Sequence, residues 1–198
     1  MHLPAATYLD SYGQWIKNLT QITLFALIII EGGIVSSEVT AGTVILVLTK
    51  PLSRSAFVVA KAVVQSIFLA VLLTFGTLVS WGLTAAVFGT APAGPIWDAA
   101  LVWLVLGLFY VAVMTLLSVS IPSAAGAAGG GIAVFVALSV GALWKPLTDF
   151  SPAGLPGRAA TLAAHTTTSS PLWPVLTSLA ASIVLVWLAA LVFRRKEL

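Results

Sequence analysis

Cysteine is absent from the 198 residues. That excludes disulfides, thiolate metal sites and cysteine nucleophiles, and it leaves the compartment open. Histidine occurs twice, at His2 and His165, so no His/Cys set has metal-ligand spacing. No Ser–His–Asp or paired-carboxylate arrangement is visible either; the chain reads as non-enzymatic, and an intramembrane enzyme is the weakest alternative. Charge is scarce: nine basic and six acidic side chains, 8% of the chain. A soluble domain of this length does not need 60% hydrophobic residues, or a mean hydropathy of +1.10. Apolar runs of about 20 residues signify membrane helices. The net charge of +3 is small and its basic residues are clustered, which points to membrane topology and not to nucleic-acid binding. Met1 to Lys17 lacks a basic region followed directly by an apolar core, so it is not a signal peptide. With Tyr8, Asp10, Tyr12 and Trp15, it reads as an extracytoplasmic approach segment.

What remains is a series of five apolar spans, at about 19–36, 56–88, 97–121, 124–144 and 172–193. They predict an all-α, polytopic integral membrane helix bundle, one transmembrane domain over residues 1–198. The second span exceeds the length needed to cross, so it must tilt or project. Glu31, followed by Gly32-Gly33, lies in the first span, where a carboxylate costs about 3 kcal/mol on insertion scales. It is either a carboxylate on an intramembrane pathway or an interfacial residue facing another subunit or solvent. The glycine pair allows a close helix approach or a bend. The run Gly126 to Gly131 lacks the Lys-Ser or Lys-Thr that a phosphate-binding loop needs; Gly126 and Gly130, at GxxxG spacing, are expected to pack helix against helix. Residues 145–171 form the longest polar loop, with a short helix expected over Arg158 to His165 on its outer surface.

Basic residues set the orientation. Lys50, Arg54, Lys61, Arg194, Arg195 and Lys196 fall on one side of five alternating spans; Lys17, Lys145 and Arg158 fall on the other. The first group is assigned to the cytosol, with the carboxyl terminus, in the plasma membrane. Trp15, Trp97, Trp144 and Trp173 then share the outer interface.

The stretch 37–54 links the first two spans. It carries Glu38, Lys50 and Arg54 around the apolar run Val44 to Leu48, so it meets water yet lies against something. Ser37 is a candidate N-cap with Glu38 in the first turn. Ala41, Ile45 and Leu48 share a helical face, and Pro51 stops the helix near Thr49. Ser53 or Ser55 can cap the next helix. A strand over Thr43 to Thr49 is the alternative, at the cost of unpaired edges beside a bilayer. Lys61 reads first as a snorkelling lysine; packing of Lys61 and Gln65 against this stretch is the alternative.

The order Glu38, Gly42-Thr43, the leucine-rich run, Pro51, Arg54 and Lys61, placed between two spans, resembles the permease subunits of type-2 ABC exporters. In that family the region is similar to the coupling helix, which docks on a separate ATPase. The resemblance implies coupling roles for Glu38, Gly42, Thr43, Pro51, Arg54 and Lys61. Glu38 would pair with a basic group on the partner or anchor the helix start, and Gly42 would permit close approach. It further implies a cytosolic ABC ATPase partner that holds ATP and Mg, no cofactor in this chain, and a second permease subunit, identical or related, in the lipid bilayer. The family has six spans, so a first helix before Met1 is expected to be missing. A non-transporting membrane scaffold and a secondary transporter stay open as alternatives, although no internal repeat is visible.

Overall fold

A computed structural model of the protein describes residues 6–42, 53–166 and 170–195. Among these, all regular structure is helical, and five helical segments are long and apolar enough to cross a membrane. The protein is an all-α, multi-pass membrane helix bundle.

The first segment runs over Tyr8–Thr40, earlier than expected. It comprises α1 (Tyr8–Asn18), a π-helical turn (Leu19–Thr23), α2 (Leu24–Glu31) and, after a break, α3 (Ser36–Thr40). The approach segment is therefore helical. Its start is set by Thr7, whose backbone N–H donates to the Asp10 carboxylate at 2.8 Å, one half of a capping box. Tyr12 and Ile16, four apart, bury one face, and the Tyr12 hydroxyl donates to the Pro92 carbonyl at 2.9 Å. Polar residues between these aromatics gave the segment its interfacial look. Trp15 likewise turns inward: its Nε1–H donates to Thr77 Oγ1 at 3.3 Å.

Helix α4 (Arg54–Phe88) follows, with Ser53 Oγ accepting from the Ala56 N–H at 3.1 Å as the expected cap. Its 35 residues span about 52 Å at about 1.5 Å per residue. Next come α5 (Ala93–Ser120), α6 (Ala124–Gly141), α7 (Lys145–Phe150), a 3₁₀ turn (Pro152–Gly154), α8 (Leu155–Ala163) and α9 (Leu172–Arg194).

Helix α5 is the central post. In its most apolar window 67% of residues are buried, against 28% in α4, 11% in α6 and 17% in α9. Trp103, Tyr110 and Met114 are among the largest fully buried side chains. The outer faces of α4, α6 and α9 stay apolar and uncovered, as helices facing lipid require.

The loop 145–171 differs from the surface helix expected there. Leu155, Ala159 and Ala163 of α8 are fully buried, so α8 is tucked into the bundle beside α1 and α5. The helix ends before His165, which has a φ of 52°. Arg158, nearly buried, donates to Asp149 at 3.0 Å, tying α8 to α7. An apolar period of four was legible in Leu155, Ala159 and Ala163 but was masked by the flanking prolines.

Of the expected GxxxG pair only Gly130 packs against another helix, and the tighter contacts fall on other glycines. A side chain at Gly126 would meet Ser123 and Ile121 of its own turn, whereas Gly130 faces Leu117 of α5. Gly131 sits against Met114 and Ile28, and a Cβ at Gly32 would lie 2.6 Å from the Ala124 carbonyl oxygen. Gly129 faces open space. Replacing Gly32 by Val should therefore cost about 1–3 kcal/mol through overpacking against a backbone atom, while Gly129→Ala should be neutral or mildly stabilising. Unfolding in mixed micelles would show this order; equal effects would mean that the α2–α6 contact is loose.

Candidate functional site at the Pro122 end of the bundle

The first span breaks at Gly32–Val35, near the turn at Pro122. The break frees backbone groups that an apolar environment cannot satisfy. Val35, the N-cap of α3, offers no side-chain cap. The acceptor comes from another helix: Ser118 Oγ of α5 accepts the Val35 N–H at 3.0 Å and the Ser36 N–H at 3.1 Å, and its own O–H points to Ser36 Oγ at 3.4 Å. Ser118 is fully buried. The Ser36 and Thr40 hydroxyls bond back to the Gly32 and Ser36 carbonyls at 3.2 and 2.8 Å.

This corrects the expected helix start. Ser37 is not the cap; it lies inside α3, and its hydroxyl bonds the Gly33 carbonyl. Helix α3 ends at Thr40, with Ala41 as C-cap, so Ala41 does not belong to a longer helical face. Gly42 adopts a φ of 70°, and a Cβ there would meet nothing within 4 Å. Gly42 thus serves a left-handed backbone turn that ends the helix. Thr43, Ile45, Leu48, Lys50 and Pro51, and with them the strand alternative, lie outside the described residues.

Two polar rungs join the first span to α4 across the break. Glu38 forms an ion pair with Lys61, and Glu31 Oε1 accepts from Gln65 Nε2 at 2.6 Å. Lys61 and Gln65 are four apart and so share a face of α4; Glu38 and Glu31 are seven apart, on either side of the break. Glu38 therefore pairs within this chain, and Lys61 is more than a snorkelling lysine: it packs against the link through Glu38, whereas Gln65 meets Glu31 in the span before the break. The Lys61 ammonium also stands 5.7 Å from the centroid of the Phe57 ring, which stacks with Phe193 of α9 at 5.8 Å. Val58, Val119 and Ala189 complete a small buried cluster around these rings. Arg54 opens α4 at the same end and is partly exposed.

Glu31 is 5% exposed, and its Oε2 has no hydrogen-bond partner. It is thus a buried intramembrane carboxylate and not an interfacial residue open to solvent. Among the described residues no group of three or more His, Asp or Glu side chains could hold a metal ion.

A family described as a protein of unknown function, DUF2705, matches residues 6–198. The chain belongs to that family. No curated protein and no solved structure gives a significant match.

In this DUF2705 member, sequence reasoning picked out Glu31, Glu38 and Lys61 but missed Ser118, which looks like any other helix serine until the break in a distant helix needs an acceptor. Ser118→Ala would leave two buried N–H groups unsatisfied and should destabilise the fold by about 1–3 kcal/mol. Ser118→Thr, which keeps the oxygen, should lose less. Thermal unfolding of the detergent-solubilised chain checks this; equal stability of the Ala variant would mean that the break is capped otherwise.

Proposed function

We propose that the chain is the membrane-spanning permease subunit of an ATP-binding-cassette exporter, working with a separate cytosolic ATPase and a second permease subunit in the plasma membrane. The observation that carries this reading is the tethered link. The segment that resembles a coupling helix begins in α3, and α3 is fastened to α5 by Ser118 and to α4 by Glu38–Lys61. A push on the link would thereby reach two spans at once. In this reading the chain does no bond chemistry. ATP closure in the partner shifts the bundle between inward and outward states, by differential affinity for the two.

The orientation proposed is Pro122 end inside, carboxyl terminus cytosolic. It rests on the asymmetry of basic residues; Arg54, Lys61 and Arg194 gather at that end, whereas Lys145 and Arg158 belong to the helices near Gly89. Cysteines introduced at the exposed Thr90 and Lys145 should react with an impermeant thiol reagent added to intact cells. Cysteines at the exposed Ser53 and Ser123 should not. Labelling of Ser53 from outside would reverse the assignment.

The functional test is reconstitution with a cytosolic ABC ATPase that co-purifies with this chain. Vesicles containing both should show ATP-dependent efflux. Arg54→Ala and Lys61→Ala should insert normally and lose most ATP-driven transport, with Arg54→Ala also weakening ATPase co-purification by tenfold or more, on the order of 2 kcal/mol. A non-transporting scaffold would bind its partner yet give no ATP-dependent flux, and a secondary transporter would move substrate without the ATPase. Either result would sink the proposal.

A further inference from the structure

The described residues hold two buried side-chain polar atoms with no hydrogen-bond partner, Glu31 Oε2 and Trp103 Nε1. Their residues line neighbouring cavities. Glu31 lines one of about 180 Å³ between α2 and α4, and Trp103 lines one of about 210 Å³ between α1, α4 and α5. Thr23, Leu69 and Leu72 line both, so the cavities adjoin. Thr23 also closes the π-helical turn, a local irregularity found often at functional sites.

The chemistry of this crevice is one-sided. The first cavity offers the Glu31 carboxyl, the Gln65 amide and the Thr23 hydroxyl; its other lining is apolar. Gln65 donates to Glu31 Oε1, which leaves Oε2 for something else. The nearest basic side chain along α4, Lys61, is paired with Glu38. A hard metal ion wants six or more oxygens, more than the crevice supplies. A neutral apolar molecule would leave the carboxylate buried and unpaired. A positively charged amine on an apolar body satisfies both the carboxylate and the walls. The first cavity is bounded on the outer surface of the bundle by Ile30 and Phe68, 70% and 58% exposed, so such a molecule could enter sideways from the apolar phase.

We infer that the crevice between the first span and α4–α5 is a binding site for an organic ammonium ion with an apolar body, held by the Glu31 carboxylate with the body directed towards Thr23 and Trp103. As a substrate site it rests on the transport reading above; as a binding site it does not, and it is tested without any ATPase.

The test is ligand-observed NMR on the full chain in detergent micelles, with phenethylammonium as probe, phenethyl alcohol as its uncharged counterpart and 3-phenylpropionate as the anion. Phenethylammonium should bind saturably, with the alcohol and the anion at least tenfold weaker. Glu31→Gln, nearly isosteric, should weaken the amine by tenfold or more and leave the alcohol unchanged. Ala26→Phe fills the cavity from an exposed position, leaves Glu31 in place and should also abolish binding. Asp98→Asn, an exposed carboxylate elsewhere on α5, should change nothing. Absence of saturable amine binding, equal affinity for the alcohol, or unaltered affinity in both the Gln and Phe variants would overturn the inference. Amine binding that persists in a chain shown to transport nothing with its ATPase would uphold the site and discard the transport reading alone.

Discussion

A backbone cannot break inside an apolar phase without finding partners for the groups it frees. That constraint governs the Pro122 end of this bundle. The first span stops its regular helix at Glu31 and restarts at Ser36, and the restart is acceptable because Ser118 accepts both Val35 and Ser36 N–H groups. The serine can do so because α5 is the buried post, fixed by Trp103, Tyr110 and Met114. Gly32 then lets α6 approach closely enough to cover the break. The location of α3 and the pairing of Glu38 with Lys61 both depend on that one cap.

Much of the architecture was legible because membrane helices obey a simple length rule. The apolar runs of α4, α5, α6 and α9 each announce a span to within a few residues, and Ser53 marks the start of α4. What failed were places where a tertiary partner outweighs local pattern. Tyr8 to Ile16 looks interfacial by composition, yet Tyr12 and Ile16 are buried, and Pro92 supplies an acceptor for the Tyr12 hydroxyl. Leu155, Ala159 and Ala163 sit in a proline-rich loop but pack as core. Ser37 and Glu38 fit the statistical profile of a helix start, yet the restart is two residues earlier, with Val35 as N-cap, because the cap arrives from another helix.

The candidate site was half legible. A lone carboxylate in an apolar span is conspicuous, and so is a lysine at a span end. Their partners were not, since Glu31 and Gln65 lie 34 residues apart and Glu38 and Lys61 lie 23 apart. Helical spacing placed Lys61 and Gln65 on one face but could not say what that face meets. Gly42 shows what spacing alone does not reveal: its positive φ makes it a backbone device that ends α3.

The strength of the two rungs bears on whether this end could act as a switch. Moving a two-state equilibrium from 1:99 to 99:1 takes about 5.5 kcal/mol. The Glu38–Lys61 pair is about one third exposed, so it contributes at most about 1 kcal/mol. The Glu31–Gln65 bond, if the carboxyl is ionised, is worth about 1.5–3 kcal/mol. Together they stay below what a partner's ATP-driven closure would have to supply. A rung is also local: breaking one leaves the Trp15–Thr77 bond between the first span and α4 and the stacked Phe57 and Phe193 that hold α4 to α9 in place. The Ser118 cap is of another kind, because its loss leaves two donors unsatisfied and nothing nearby replaces it. A push arriving through α3 would therefore reach α4 through the rungs, which yield first, and α5 through the cap, which holds.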